Sequence, residues 1–540
     1  MANKESNRSI LNLNSLILLQ IGIFVIIKIF VDFDTFFIQW DEGKYLTLAR
    51  NFPFHRLYNH SLYLAHPPLY PYFIRFFSLF FTDYLAGIIL SFLSICGFIV
   101  LFYKLMGIVK LRKKELFFSI FLITFNWITY YYSHMIYKEA FYLFLVTGAI
   151  YFFIRGVSSN STNRLIVSAV FASASAFTAD QSLLLPLILL AGYIVYARKG
   201  WKDIKPILPI LACILSSAVW ILIKDRVFAS NSYYPAGADG TIEYLSKTRN
   251  IKQVIFLWLL PNTNKFVGFG GFSTNILHYI NEMGVLVNVV WPVHISQSLH
   301  KTHKILLLCL VYIPLFTALI SGILLSFIRA IRKRCIANNT DLFMLIFLFI
   351  SFLPLTNKMG AARYAIISII PVYYFIIKGV GYMVSKTKLA VRNSTILVLI
   401  LLELVVFIPL WISKKPHIIF NLKKEVQCQK TGKFLSNLKE DGIMAEFGYP
   451  PEIAYLTGKR VMCLPREPGE LDEFIKELSI NYLVCAITYE GIQKSTATDI
   501  GNYIAKSKKY IKVKTIDEAY SSVPWRNKII IYKTSSDIQK

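Results

Sequence analysis

Charge is scarce in this sequence, and negative charge is scarcest: 16% of its 540 residues are charged, with 31 acids against 58 lysines and arginines. Soluble domains carry roughly 25% charged residues. A chain this poor in charge, 55% hydrophobic and with a mean hydropathy of +0.52, is excluded from that class. It reads as a polytopic membrane protein. Cysteine patterning is also missing. The seven cysteines (Cys96, Cys213, Cys309, Cys335, Cys428, Cys463 and Cys485) form no CxxC pair and no ligand spacing, which excludes a structural zinc and a disulfide framework. Cys463 and Cys485 fall in separate strand-like runs and are expected as buried free thiols rather than as a cross-sheet pair. No small-residue cleavage site follows the first apolar run, so Ser15–Val31 is expected to be a retained helix. Net positive charge of +27 raises the question of nucleic acid, but the basic residues sit between apolar spans and in the tail, so polyanion binding is set aside.

What is abundant is apolar length. Runs able to cross about 30 Å of hydrocarbon number about eleven. They lie near 15–31, 84–104, 116–132, 140–155, 164–178, 182–197, 206–223, 305–328, 341–355, 364–384 and 394–412. With the N-terminus cytoplasmic, the inner loops are Lys104–Glu115, Arg155–Arg164, Arg198–Lys205, Arg329–Arg334 and Lys386–Arg392. All are basic, as the positive-inside bias requires. The outer face then receives Asp32–Thr82, Tyr130–Glu139, the Ala179–Gln181 turn, Lys224–Lys304, Thr356–Arg363 and everything after Ser413. The chemically useful polar residues all fall on this face.

After Ser413 the composition turns to mixed charge. Ile443–Phe447, Arg460–Leu464, Tyr482–Ile487 and Lys528–Tyr532 read as strands, and Thr431–Lys439 and Glu470–Leu478 as helices. The expected organisation is a transmembrane domain over residues 1–413 and an extracytoplasmic α/β domain over 414–540. The latter has no phosphate-binding glycine loop and no metal spacing, so its expected role is packing or recognition. Lys224–Lys304, with Gly268, Gly270 and Gly271, reads either as a lid or as a passive surface loop.

The stretch of most interest is Asp32–Arg75, between the first two spans. Asp41 and Glu42 open a segment, DEGKYLTLAR, with the spacing of an interfacial helix, and Lys44 stands beside them. A carboxylate held near a low-dielectric surface has a raised proton affinity, which suits Asp41 to act as a general base; solvating a helix end is the plainer reading. His66 precedes the stiff Pro67–Pro68 pair, which fixes its height over the bilayer. Glu139 opens the fourth span, where an acid also suits the helix dipole. Arg363, followed by Tyr364, opens the tenth span. An arginine there runs against the orientation bias, and its planar fork fits phosphate oxygens, whether of a substrate or of a lipid headgroup.

WDEGKYLTLARN, HPPLYPYFIRFFSLF, YYSHMIYKEAFYLFLVTGAIYFFIRG and ARYAIISIIPVYYFIIKG occur in that order. On these the chain resembles the GT-C superfamily of membrane glycosyltransferases, especially the branch of protein O-mannosyltransferases and the lipid A aminoarabinose transferase. The resemblance covers roughly residues 38–385. It implies a membrane all-α GT-C bundle that takes a sugar from a polyprenyl-phosphate donor to an acceptor hydroxyl of protein, lipid or glycan on the outer face, with inversion. By position it makes Asp41 and Glu139 the catalytic acids and Glu42, Lys44, His66, Arg363 and Tyr364 substrate-binding. A divalent cation is the one cofactor it leaves open. His66 stands where relatives often carry Lys, and Ala65 where some carry Glu.

Two other classes compete. A multi-span transporter predicts midplane charges and paired repeats; Lys28 and Glu403 are the notable intramembrane charges, and no two halves match. A polysaccharide polymerase or ligase would devote its large outer loop to arginines, whereas Lys224–Lys304 is aromatic and glycine-bearing.

Overall fold

The computed structural model describes residues 40–50, 67–109, 113–124, 135–196, 204–230, 313–332, 339–352, 366–385, 426–445, 450–465, 468–477, 479–488, 497–516 and 527–535, with single positions elsewhere. The first and last expected spans, most of Lys224–Lys304, and His66, Arg363 and Tyr364 lie outside the described residues.

The chain enters this set at a short helix, α1 (Trp40–Arg50), followed by α2 (Leu69–Phe77) and the long α3 (Asp83–Ile108). Thr82 caps α3 with extended backbone, its hydroxyl accepting from the Leu85 N–H, and Asp83 complements the helix dipole in the first turn. Next come α4 (Lys113–Thr124), α5 (Lys138–Ser159), α6 (Thr162–Ala176), a 3₁₀ turn (Asp180–Leu184), α7 (Leu185–Tyr196) and α8 (Ile207–Ser230). After a gap follow α9 (Ile313–Arg332), α10 (Thr340–Phe352) and α11 (Ile369–Ser385). These nine helices from α3 onward overlap the second to tenth apolar runs. Among the described residues four are long and apolar enough to cross a membrane, within α3, α5, α9 and α11; the helices ending at Tyr196 and Phe352 and the 207–223 part of α8 are shorter apolar elements.

Small residues set how closely the helices pack. Asn160 in the left-handed region (φ 50°) closes α5 and turns the chain directly into α6. The hairpin is then held by Ser168 Oγ donating to the Ala149 carbonyl at 2.8 Å and by the Phe171 ring lying over Gly148. At the α9–α11 crossing a Cβ on Gly322 would strike the Phe375 carbonyl, and one on Gly379 the Ala318 carbonyl. With Ala318 and Gly322 four apart, and Phe375 and Gly379 likewise, this is backbone-to-backbone packing through small residues. At the end of the bundle bearing the expected inner loops, Asp341 is buried and accepts from Ser326 Oγ at 3.1 Å and Tyr374 OH at 2.7 Å.

The remaining described residues form helices around one sheet. A helix at 426–436 (α12) precedes β1 (Ile443–Ala445), α13 (Pro450–Thr457), β2 (Val461–Cys463), α14 (Pro468–Glu477), β3 (Tyr482–Thr488), α15 (Ala497–Lys506), β4 (Tyr510–Ile516) and β5 (Asn527–Thr534). Strand order is β2-β1-β3-β5-β4, with β1 parallel to β2 and β3, and β5 antiparallel to β3 and β4. Ile529 and Ile531 face one core with Tyr482, Val484, Leu435 and Ile453; Ile530 and Tyr532 face the other with Leu483, Cys485, Leu471 and Ile500. A sheet covered on both faces explains why β5 reads as an unbroken apolar run. All four strands and both helices expected here are present; α13, α15 and β4 are additional. Cys485 is a buried free thiol, and β1 separates its strand from that of Cys463.

Candidate active site

α1 is polar by composition yet largely buried, because its residues are shared between two cores. Tyr45, Leu46 and Ala49 pack with Tyr70 and Ile74 of α2, Ala86 and Leu90 of α3, Ile136, and Phe141 of α5. Leu48 instead belongs to the core under the sheet, with Leu435, Ile443 and Ala454. Glu42 is three and four residues before Tyr45 and Leu46, hence on the bundle-facing stripe. It is fully buried.

A buried carboxylate must be compensated, and the Ile136 N–H does so, donating to Glu42 Oε1 at 2.8 Å. Ile136 directly precedes Tyr137, whose extended backbone begins α5, so Glu139 in the first turn of α5 is held near the same spot. Glu139 is also buried, at 4% exposure, as is Lys138. Tyr70 completes the group. Its hydroxyl hydrogen-bonds Ser91 Oγ at 2.8 Å, and its ring stands edge-on to Tyr45 at 5.1 Å and tilted against Phe141 at 6.1 Å. Burial holds the Tyr70 phenol well above its ordinary pKa, the Ser91 bond opposes this, and Glu42 and Glu139 both add to it. The phenol therefore stays protonated.

The neighbouring loops meet at this end of the bundle. The Leu69 N–H donates to the Phe177 carbonyl at 2.9 Å, joining the start of α2 to the end of α6. Asp180, in the following turn, accepts from Trp220 Nε1 of α8 at 3.0 Å. Asp32–Thr82 and Tyr130–Glu139, two of the loops expected on one face, are joined by the Glu42–Ile136 bond, and the Ala179–Gln181 turn follows directly on the end of α6 that Leu69 contacts.

Of the residues singled out from sequence, Glu42 reaches the Ile136 amide three residues before Glu139, and Lys44 lies half-buried on the same helix as Glu42. Asp41 is in the first turn of α1, and its side chain falls outside the described residues, as do His66, Arg363 and Tyr364. Glu42 is not a solvated helix-end acid; its stripe position and the Ile136 amide bury it. Sequence reasoning gave no role to Tyr70 or to Asp180, although both stand in segments it marked. Among the described residues no three His, Cys, Asp or Glu side chains group as metal ligands. The acids described here do not by themselves make a divalent-cation site.

Among the described residues the Glu42-bearing helix thus lies between the helical bundle and the five-stranded sheet. Residues 65–223 match the family model described as dolichyl-phosphate-mannose-protein mannosyltransferase. Among solved structures, the archaeal oligosaccharyltransferase AglB from Archaeoglobus fulgidus, in complex with an inhibitory peptide and a dolichol-phosphate, is 12% identical with a TM-score of 0.53, covering 97% of this chain and 74% of that one. ArnT from Cupriavidus metallidurans is 11% identical in the apo state (TM-score 0.51, covering 96% of this chain and 98% of that one). Bound to undecaprenyl phosphate it is 10% identical (TM-score 0.55, covering 98% and 99%). No curated protein sequence matches the chain. At these identities the likeness concerns the fold alone, which this chain shares with AglB and ArnT.

Proposed function

We propose that the protein is an integral-membrane glycosyltransferase that moves a sugar from a polyprenyl-phosphate donor to an acceptor hydroxyl on the extracytoplasmic face, with inversion at the anomeric carbon. The observation carrying this reading is the meeting of Glu42, from the loop after the first span, with the Ile136–Glu139 segment at the start of α5. It occurs in a fold whose solved neighbours hold dolichol-phosphate and undecaprenyl phosphate. With Glu42 holding α1 there, its neighbour Asp41 and Glu139 of α5 give one group to take a proton and another to orient the acceptor.

In this reading Asp41 accepts the proton of the acceptor hydroxyl as the hydroxyl oxygen attacks the anomeric carbon and the phosphate leaves. Glu139 orients the acceptor. Glu42 fixes the helix that carries Asp41, and Lys44, His66, Arg363 and Tyr364 bind the donor phosphate and sugar, where cationic donors stabilise the developing charge. The N-terminus is cytoplasmic and the sheet domain extracytoplasmic, which puts the acids at the height of a lipid-borne phosphate.

The test is incubation of purified protein with radiolabelled polyprenyl-phosphate sugars and a membrane extract, comparing wild type with Asp41→Asn. Label moving to a new species with wild type alone supports the reading and identifies sugar and acceptor class together. Transfer unchanged by Asp41→Asn removes Asp41 as the base. No transfer from any donor shifts weight to a polysaccharide polymerase or a transporter.

A further inference from the structure

Arg50 ends α1, and all three of its guanidinium nitrogens are engaged. Nε donates to Asp83 Oδ2 at 3.1 Å, and Nη2 lies 3.0 Å from the same oxygen, at the start of α3. Nη1 donates to the Tyr455 carbonyl at 2.7 Å, and the guanidinium carbon stands 4.2 Å from the centre of the Tyr455 ring. Tyr455 belongs to α13, which packs along α1. One side chain thus ties three elements: the helix bearing Asp41 and Glu42, the long helix α3, and α13 beside the sheet.

The opposite end of the same helix is held by Glu42 on the Ile136 amide. Eight residues separate the two fastenings, roughly 12 Å along the axis. Between them Tyr455 enters the core formed by Tyr45, Leu46, Ala49 and Tyr70, while Leu48 enters the core under the sheet. An eleven-residue helix is too short to hold itself in place. Its position is set by these contacts, and half of them come from a domain distant in sequence.

We propose that Arg50 is a positioning residue for sugar transfer: through Asp83 and Tyr455 it locks the Asp41-bearing helix between the membrane bundle and the sheet domain, making that domain part of the catalytic geometry. This rests on the glycosyl-transfer reading above. Arg50 touches no reacting atom; it acts by fixing the height and rotation of α1. Lysine keeps the charge but cannot reach Asp83 and the Tyr455 carbonyl with separate nitrogens of one planar fork.

The experiment uses the full-length protein in lipid nanodiscs and compares wild type, Arg50→Lys and Arg50→Gln by amide hydrogen exchange and by donor kinetics. Arg50→Gln is expected to raise exchange over residues 40–50 and 450–457 with residues 138–159 unchanged. It should also lower kcat by on the order of tenfold to a hundredfold, with donor KM moving less than about twofold. Arg50→Lys should fall between, and it carries the comparison if Arg50→Gln fails to fold. Exchange and kcat both at wild-type levels overturn the proposal. So does raised exchange with normal kcat, since α1 then needs no fixing. A fall in kcat without added exchange, or a rise in KM alone, also overturns it by making Arg50 a substrate contact. Wild type inactive on every donor removes the glycosyl-transfer reading and the catalytic half of this proposal, while exchange still decides whether Arg50 holds the helix.

Discussion

Glu42 accepts the backbone N–H of Ile136 at 2.8 Å across 94 residues of sequence, and both groups are buried. This bond joins the loop after the first span to the start of the span that carries Glu139. Glu42→Ala leaves the Ile136 amide buried without its acceptor and should destabilise the protein by about 1–3 kcal/mol. Glu42→Gln keeps an acceptor oxygen and should recover most of that loss. Thermal unfolding of the two variants in detergent separates the cases; equal stability of Ala and Gln would show that the bond contributes nothing.

Glu139 stands in the first turn of α5, where an acid favours the helix dipole whatever else it does. A dipole role and a chemical role predict different losses. Glu139→Gln should lower transfer by about a hundredfold or more while unfolding shifts by less than about 1 kcal/mol. Normal kinetics with slightly lowered stability would return Glu139 to helix-dipole duty.

Gly379 lies against the Ala318 carbonyl where α9 and α11 cross by backbone contact. Gly379→Leu requires the helices to separate, which should cost about 1–3 kcal/mol or more and lower the yield of monodisperse protein. Size-exclusion profiles and melting curves check this. Gly107→Leu, at a glycine with open space, serves as the control and should behave as wild type.

Glu440 accepts from Lys533 Nζ and Tyr482 OH, each at 2.8 Å. The Lys533 bond, with a backbone bond and that from Tyr482, lowers its pKa to about 2 from an ordinary 4.5. Because the folded pKa is depressed, the stabilisation is fully present above about 4.5 and is lost as pH falls toward 2. Glu440→Gln should remove that part of the acid slope. A melting-temperature profile over this range with the same slope in both proteins would refute the assignment.

The sequence by itself determined the elements whose cause is local. Long apolar runs must be helices in hydrocarbon, because only a helix satisfies its own backbone there, and this fixed α3 to α11. The run in β5 could be read the same way, since both of its faces are buried. Elements without a strong local signal escaped. β4, YIKVKTI, mixes lysines with apolar residues at a sheet edge, and α13 opens on Pro450–Pro451, which reads as a loop although proline is tolerated in a first turn. Glu42 and Glu139 were legible as acids on one face, but residue type does not say whether an acid meets water or a buried amide. That Glu42 reaches Ile136, that Tyr70 packs against Tyr45 and Phe141, and that Arg50 grips Tyr455, 405 residues away, only the tertiary structure decided. Such contacts follow from the packing of whole helices and a sheet, and no local pattern encodes which distant surface a short helix will meet.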